Sequence, residues 1–568
     1  MTARMNPARI LLVSNVRPLR VWKIARRIPH EIPGVQICGI VQRPMQKLPL
    51  AQQRIANGAT RAKHRFYSLF EEFMHWVLWL AHGAPPNLDN TRKFTVEKLA
   101  EKCGQAGWPF LLAENIGDAK VLEFIRQQDV GLLIVLGDIP LSSELLSIPS
   151  HGVIRAYYDE HNHNRTKVGE SLQINQIKIE HFTRGSETAF TIAHLKMPLQ
   201  PYDGLAGVTL KSDLIADDLL LQTAIGLQTA SQVKTSKAVM EWIQRIYSPY
   251  LTQLEPVPTQ TAQAKLSRQR FRSEWKLSVE TLLFSPFAFA RNWYRRLRGH
   301  YPVLVLAHHL VSDRPHRMGI STENFWQAVS FLRRHYRIVS LAEAVELLRS
   351  GNVKVPTVVL TFDDGYADNF VNLRAVADEA EIPVALFITT QPVEIQCEFQ
   401  HDLAHGIKGV LPLTWDQIQY WGSQGAEFGS HTRTHLDCGS ADRTKLEWEI
   451  VGSKHDLEGH LGKSVGFFAF PFGNPDNISS DAADMASSVY SHVASCSGGE
   501  NLPDKADNHR YLVRKNLYSD LWELELELQS VLDWVETIKR RFRLKRAEPA
   551  ISSGRATTTS ALSTYANR

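Results

Sequence analysis

The chain has 568 residues, 43% of them hydrophobic and 22% charged, which is too long for one core and predicts two or more domains. A formal charge of +5 from 64 basic and 59 acidic residues is small for this size and argues against a dedicated nucleic-acid binder. The five cysteines, Cys38, Cys103, Cys397, Cys438 and Cys496, form no C-x-x-C pair, so neither a disulfide framework nor a cysteine zinc site follows.

The first twenty residues lack an apolar core and a small-residue cleavage site, and the expected location is the cytoplasm. "RILLVSN" (9–15), "GVQICGIVQ" (34–42) and "VGLLIVLGD" (130–138) read as buried strands separated by helical stretches, the pattern of a parallel sheet in an α/β domain. No G-x-G-x-x-G follows the first strand, so a dinucleotide fingerprint is absent. "FYSLFEEFMHWVLWLAHGAPP" (66–86) is broken by Glu71, Glu72 and His75 and is too polar to span a bilayer. It reads as an amphipathic helix packed on its own domain, with weak contact to a membrane surface as the alternative. Residues 1–250 are expected to form the first domain, 251–271 a Pro- and Gln-containing linker, 272–299 a connecting helical segment, 300–535 a second α/β domain, and 539–568 a disordered basic tail.

Four strands of the second domain end on unusual residues. "PVLVLAHH" (302–309) ends at two histidines, "TVVLTFDDG" (357–365) at Asp363 and Asp364, "AEFGSHTRTH" (426–435) at His431 and His435, and "GFFAFPFG" (466–473) at Pro471 and Gly473. In an α/β barrel, residues just past the C-terminal strand ends form the active face. Two adjacent carboxylates repel, so D-D-G is either an ordinary turn or a place where a cation holds one carboxylate while the other handles protons. H-x-x-x-H converges two imidazoles on one face of a helix or on a tight loop. One aspartate and two histidines make the three-ligand count of a catalytic zinc site.

"TFDDGYADN", "GSHTRTH" and "FAFPFG", in this order, resemble the polysaccharide deacetylase family of NodB homology, carbohydrate esterase family four, over about 300–530. The resemblance implies a deformed (β/α) barrel of about seven strands with a divalent metal, usually zinc, acting on N-acylated amino sugars. It assigns the metal to Asp364, His431 and His435, the general base to Asp363, and part of the substrate groove to Pro471, Phe472 and Gly473. The family's late L-x-H acid has no counterpart between 510 and 535; His309, aligned with the family's early histidine, is either the substitute or a structural histidine that orients Asp363 or a loop. Arg514, in "YLVRKNLYSD", is expected at the substrate or paired with Asp363.

Residues 9–225 resemble the formyltransferase fold through the order "RILLVSN", "VGLLIVLGD", "PYDGLAGVTL" and "DLIADDLLLQ". The Asn-x-His of that family is replaced by Arg155 and Tyr157, and only Asp203 is kept, so formyl transfer is expected to be lost. "HNHNRTK" (161–167) reads as an exposed loop. The resulting expectation is metal-dependent removal of an N-acetyl group from an amino sugar or glycan precursor. A deformylase and a non-catalytic sugar-binding protein are the alternatives.

Overall fold

A computed structural model describes residues 8–44, 94–158, 174–252 apart from 199 and 201, 262–503 and 510–533, together with 73, 74, 76, 77 and 80. The "HNHNRTK" segment and the 539–568 tail lie outside the described residues.

Seven strands build the first sheet: β1 Ala8–Ser14, β2 Val35–Gln42, β3 Phe110–Leu112, β4 Leu132–Leu136, β5 Val153–Tyr158, β6 Ile174–Phe182 and β7 Ala189–Pro198. Their spatial order is β3-β2-β1-β4-β5-β6-β7. The three predicted strands, now β1, β2 and β4, lie side by side and parallel. β4 is wholly buried, as an unbroken apolar run requires. From β3 to β5 the sheet is parallel, as expected, and β6 and β7 extend it antiparallel. β5 and β6 exchange bonds through alternating residues, with Arg155 opposite Glu180. That face is half-open, which an antiparallel pair tolerates.

The second sheet closes on itself. β8 Val303–His308, β12 Thr357–Phe362, β13 Ala385–Ile388, β14 Glu427–Ser430, β15 Phe467–Ala469, β16 His492–Ser495 and β17 Tyr511–Asn516 follow one another around the ring, all parallel. β8 pairs with both β12 and β17 and completes a seven-stranded barrel. A short strand, β11 Arg337–Ile338, adds to the outer edge of β12, and β9 Leu310–Val311 pairs with β10 Gly319–Ile320 outside the ring. Alternation decides which side chains line the barrel: Val303, Val305, Val359, Ala385, Phe387 and Leu512 share one cluster, while Leu304, Leu306, Val358 and Leu360 face the helices. The same alternation carries Thr361, Asp363 and Arg514 inward.

The two sheets share one core. The helix Leu205–Thr229 lies between them, and its leucines belong to the same cluster as barrel helices Thr322–His335 and Asn372–Ala380. The "ADDLL" run of this helix sits in its middle, where Asp217 and Asp218 are buried. Asp217 accepts from Arg20, and Asp218 accepts from Arg27 at 2.7 Å, Arg374 at 2.6 Å and Tyr247 Oη at 2.6 Å. Arg374 belongs to the barrel domain, so this carboxylate ties one half to the other.

Two segment expectations change. The helix Ala262–Arg298 runs through the second half of the expected linker, because Gln, Ala, Lys, Leu and Arg without glycine favour helix over coil. In the 66–86 stretch, the described positions are helical; Met74 packs with Ala288 and Trp522, while Phe73, Trp76 and Leu80 are exposed. No described helix is long and apolar enough to cross a membrane.

Candidate active site

β12 delivers the two aspartates. The ladder continues one residue past the strand, with Asp363 N donating to His308 O at 2.9 Å. The chain then turns through two left-handed residues, Asp364 (φ 69°) and Gly365 (φ 91°). A Cβ on Gly365 would meet Ile388 Cδ1 at 2.9 Å, so glycine is needed there. The turn sends the neighbouring carboxylates in different directions. That separation answers why like charges can be adjacent.

Asp363 meets a cation supplied by the far side of the ring. Arg514 on β17 donates from Nη1 to Oδ1 at 2.7 Å and from Nη2 to Oδ2 at 2.8 Å, and also reaches Thr361 Oγ1 at 3.2 Å. Burial alone would raise the Asp363 pKa, but the facing guanidinium outweighs it and holds the carboxyl at about 2. Arg514 is itself fully buried beneath Asp363. Of the two expected placements, at the substrate or paired with Asp363, the structure shows the pairing.

Asp364 meets imidazoles. Its Oδ1 lies 3.6 Å from His431 Nε2 and 3.4 Å from His435 Nε2, and its Oδ2 lies 3.6 Å from His401 Nε2. Neither oxygen has a hydrogen-bond partner among the described residues, though both are buried. An uncompensated buried carboxylate is costly, and a cation among these nitrogens would satisfy it. His431 Nδ1 faces the Ala469 carbonyl at 2.8 Å, so Nδ1 carries the proton and Nε2 offers its lone pair towards Asp364. Burial lowers the pKa of His431 to about 3 and of His435 to about 4, which keeps both rings in the neutral, ligating form. The residues present fit a divalent metal with nitrogen and oxygen ligands.

H-x-x-x-H is a loop here, not a helix. It follows β14, with Thr432 and His435 in the left-handed region. Glu449, buried on the helix Arg443–Leu461, fixes this loop by accepting from Arg433 N at 2.8 Å and Thr434 N at 2.9 Å. Arg433 in turn pairs with Asp456 on the same helix.

His401, from the short helix Gln400–Leu403, had no place in the sequence reading, yet its ring lies 4.6 Å from that of His435. Ligand atoms of Asp364, His401 and His435 fall within 4.8 Å of one another. Its Nε2 is also 2.8 Å from Tyr366 Oη, which donates to Asp402 Oδ2 at 2.8 Å. With Tyr366 committed to Asp402, His401 Nε2 is left to donate to the phenol oxygen. His309 follows β8, with its ring 6.3 Å from that of His308 and its carbonyl accepting from Asn369 Nδ2 at 2.8 Å. At the rim, Gly473 N donates to Pro471 O at 2.6 Å around Phe472, whose φ is 61°. The half-exposed Phe472 ring lies edge-on to His435 at 4.7 Å, and a Cβ on Gly473 would come within 2.4 Å of Cys496 N.

In the N-terminal half, Arg155 pairs with Glu180 at 2.8 Å and Tyr157 lies exposed on β5. Asp203 is buried, accepting from Gln200 N at 2.6 Å and from Lys211 Nζ. Lys211 also donates to Asp313 of the barrel domain at 2.6 Å. Burial opposes a charged Lys211, but Asp203 and Asp313 on either side hold the ammonium protonated.

The ring of parallel strands sets its acids and imidazoles beyond the strand ends, on the face where barrel active sites gather. Residues 350–489 match the family model described as polysaccharide deacetylase, and this region is accordingly a polysaccharide deacetylase domain, a hydrolase of carbon–nitrogen bonds other than peptide bonds. No curated protein matches the chain. Among solved structures, the chain is similar to the Streptococcus pyogenes deacetylase PplD in complex with acetate (18% identity, 40% of this chain and 99% of that one, TM-score 0.35). It is also similar to IcaB from Ammonifex degensii (22% identity, 40% and 97%, TM-score 0.34). A phosphoribosylglycinamide formyltransferase from Bacillus halodurans is a further match (10% identity, 42% and 97%, TM-score 0.24).

Proposed function

We propose that this protein removes an N-acetyl group from an amino-sugar residue of a polysaccharide or glycan precursor, with a divalent metal, usually zinc in such sites, held by Asp364, His431 and His435. The observation that supports this most directly is Asp364: both oxygens are buried without a hydrogen-bond partner among the described residues and face three imidazoles. Bound there, the metal would polarise the acyl carbonyl and lower the pKa of a water molecule.

The protein's own groups divide the remaining work. Asp363 is a carboxylate at any ordinary pH and so stands ready to accept a proton. Each of its oxygens accepts one bond from Arg514 and keeps lone-pair capacity for a second. Arg514 fixes the orientation of that carboxylate, which matters because a general base acts only within hydrogen-bond reach. His309 is the proton donor to the departing amine, and His401, bonded to Tyr366, holds a proton at the opposite edge. Phe472, left-handed at the end of the β15 loop, offers an aromatic face for the sugar ring and a backbone N–H for the developing oxyanion. The N-terminal domain acts as a non-catalytic module, since Arg155 and Asp203 are both consumed by ion pairs.

The test is release of acetate and of formate from a panel of N-acylated amino sugars by the zinc-loaded protein. Acetate release that vanishes in Asp363→Asn supports the reading. Formate release without acetate would make the enzyme a deformylase, and neither product would leave a sugar-binding protein.

A further inference from the structure

The helix Ala262–Arg298 is inverted relative to an ordinary surface helix. Its inward positions are small or polar: Thr281, Ser285, Ala288 and Asn292 are buried, and Asn292 Nδ2 donates to Gln529 Oε1 at 2.6 Å. Its outward positions are large and apolar. Leu282, Leu283, Phe287, Trp293, Tyr294 and Leu297 are exposed, Leu283 by 59% and Leu297 by 70%. From 279 to 297, every exposed position except Arg296 is apolar or aromatic. These positions recur at three- and four-residue spacing and so form one face.

A second segment extends this face. Phe73, Trp76 and Leu80 are exposed, while Met74 packs with Ala288 and Arg296 Nη1 donates to Leu80 O at 2.7 Å. The patch therefore spans two adjoining helical segments. Contiguous exposed apolar surface of this kind marks an interaction site.

Its rim indicates which partner. Arg296 lies over the Trp293 ring at 5.7 Å and Arg298 over the Tyr294 ring at 5.3 Å, and both arginines are exposed. Of the four arginines between 279 and 300, Arg291 and Arg295 pair with Glu500, which leaves Arg296 and Arg298 exposed at the rim. Leucine and phenylalanine in the middle, with Trp, Tyr and Arg towards one end, is the composition of a helix lying at the headgroup boundary of a bilayer. Anionic headgroups would neutralise this arginine rim.

We propose that this face seats the protein on an anionic lipid surface. The helix lies in the plane of the bilayer, its leucines roughly 5–10 Å into the headgroup and acyl boundary.

The experiment is co-sedimentation of the full chain with vesicles of phosphatidylcholine alone or mixed with phosphatidylglycerol, at low and high salt. Sedimentation with the anionic vesicles is expected, weakened by salt. Leu283→Glu with Leu297→Glu should reduce binding by about tenfold or more, since burying even one leucine is worth that much. Arg296→Gln with Arg298→Gln should weaken binding and flatten its salt dependence. All four sites are exposed, so thermal melts of the variants should match the parent. Absence of sedimentation with either vesicle, or undiminished binding by the Leu283→Glu, Leu297→Glu variant, overturns the proposal. So does a dimer in sedimentation velocity that the same variant dissociates while vesicles remain unbound, because a second copy would then cover the face.

Discussion

Asp218 in the N-terminal half and Asp364 in the barrel are both completely buried carboxylates, and their surroundings could hardly differ more. Asp218 accepts from two arginines and a tyrosine, so its charge is answered within the protein. Asp203 likewise accepts from Lys211 and a backbone amide. Asp364 faces three imidazoles and has no described hydrogen-bond donor. A satisfied buried acid is structure, and an unsatisfied one is an invitation to a ligand. The same test separates the two aspartates of D-D-G, since Asp363 is held by Arg514 and its neighbour is not.

The sharpest way to break this contrast is to remove each acid. Asp364→Ala should abolish both bound zinc and acetate release, whereas Asp218→Ala should leave zinc stoichiometry intact in the folded protein; metal analysis after desalting decides it. Asp363→Asn should cost ~10²–10⁴ in rate while keeping the metal, because it alters the proton acceptor alone. Equal metal loss in both aspartate variants would refute the division of roles. Lys211→Met leaves Asp203 and Asp313 buried without their cation, and should cost about 3–5 kcal/mol of stability in denaturant titration with turnover per folded molecule retained.

A pH series on metal-free protein sharpens the comparison further. Imidazoles in the unfolded chain titrate near ~6.5, whereas burial holds His431 at about 3 and His435 at about 4. Below ~6.5 the unfolded chain binds more protons than the folded one, so stability should fall as pH drops towards these values. A Tm unchanged between pH ~6.5 and ~4.5 would contradict the burial assigned to these rings. The smallest effect belongs to the N-terminal strand β5. Tyr157→Phe should shift stability by no more than ~0.5 kcal/mol, and no formyl transfer from a formyl-folate donor should be detectable before or after it.

The reach of the sequence follows from which contacts are local. Asp363, Asp364, His431 and His435 were readable because each lies just past an apolar strand, and strand ends gather on one face of a barrel. His401 was not, because it arrives on a four-residue helix with no spacing that links it to Asp364 or the histidine loop. Glu449 was hidden for a similar reason: a buried glutamate on a helix shows its purpose only when the loop it caps is in place. The β6–β7 pair was missed, and with it Glu180, the partner that explains Arg155. The inverted helix escaped notice because its apolar spacing reads the same whether that face turns inward or outward.

The pairing of β17 with β8 brings Arg514 opposite Val305, joining strands from the two ends of the barrel domain. During synthesis the chain emerges from its N-terminus, so Asp363 and the histidine loop are available long before the guanidinium that clamps the base. Until Arg514 has left the ribosome and β17 has docked, the ring stays open and Asp363 lacks its counterion. The Asp363–Arg514 pair is thus among the last features of the domain to form, and a nascent chain halted before residue 514 would have all three proposed metal ligands and an unclamped Asp363.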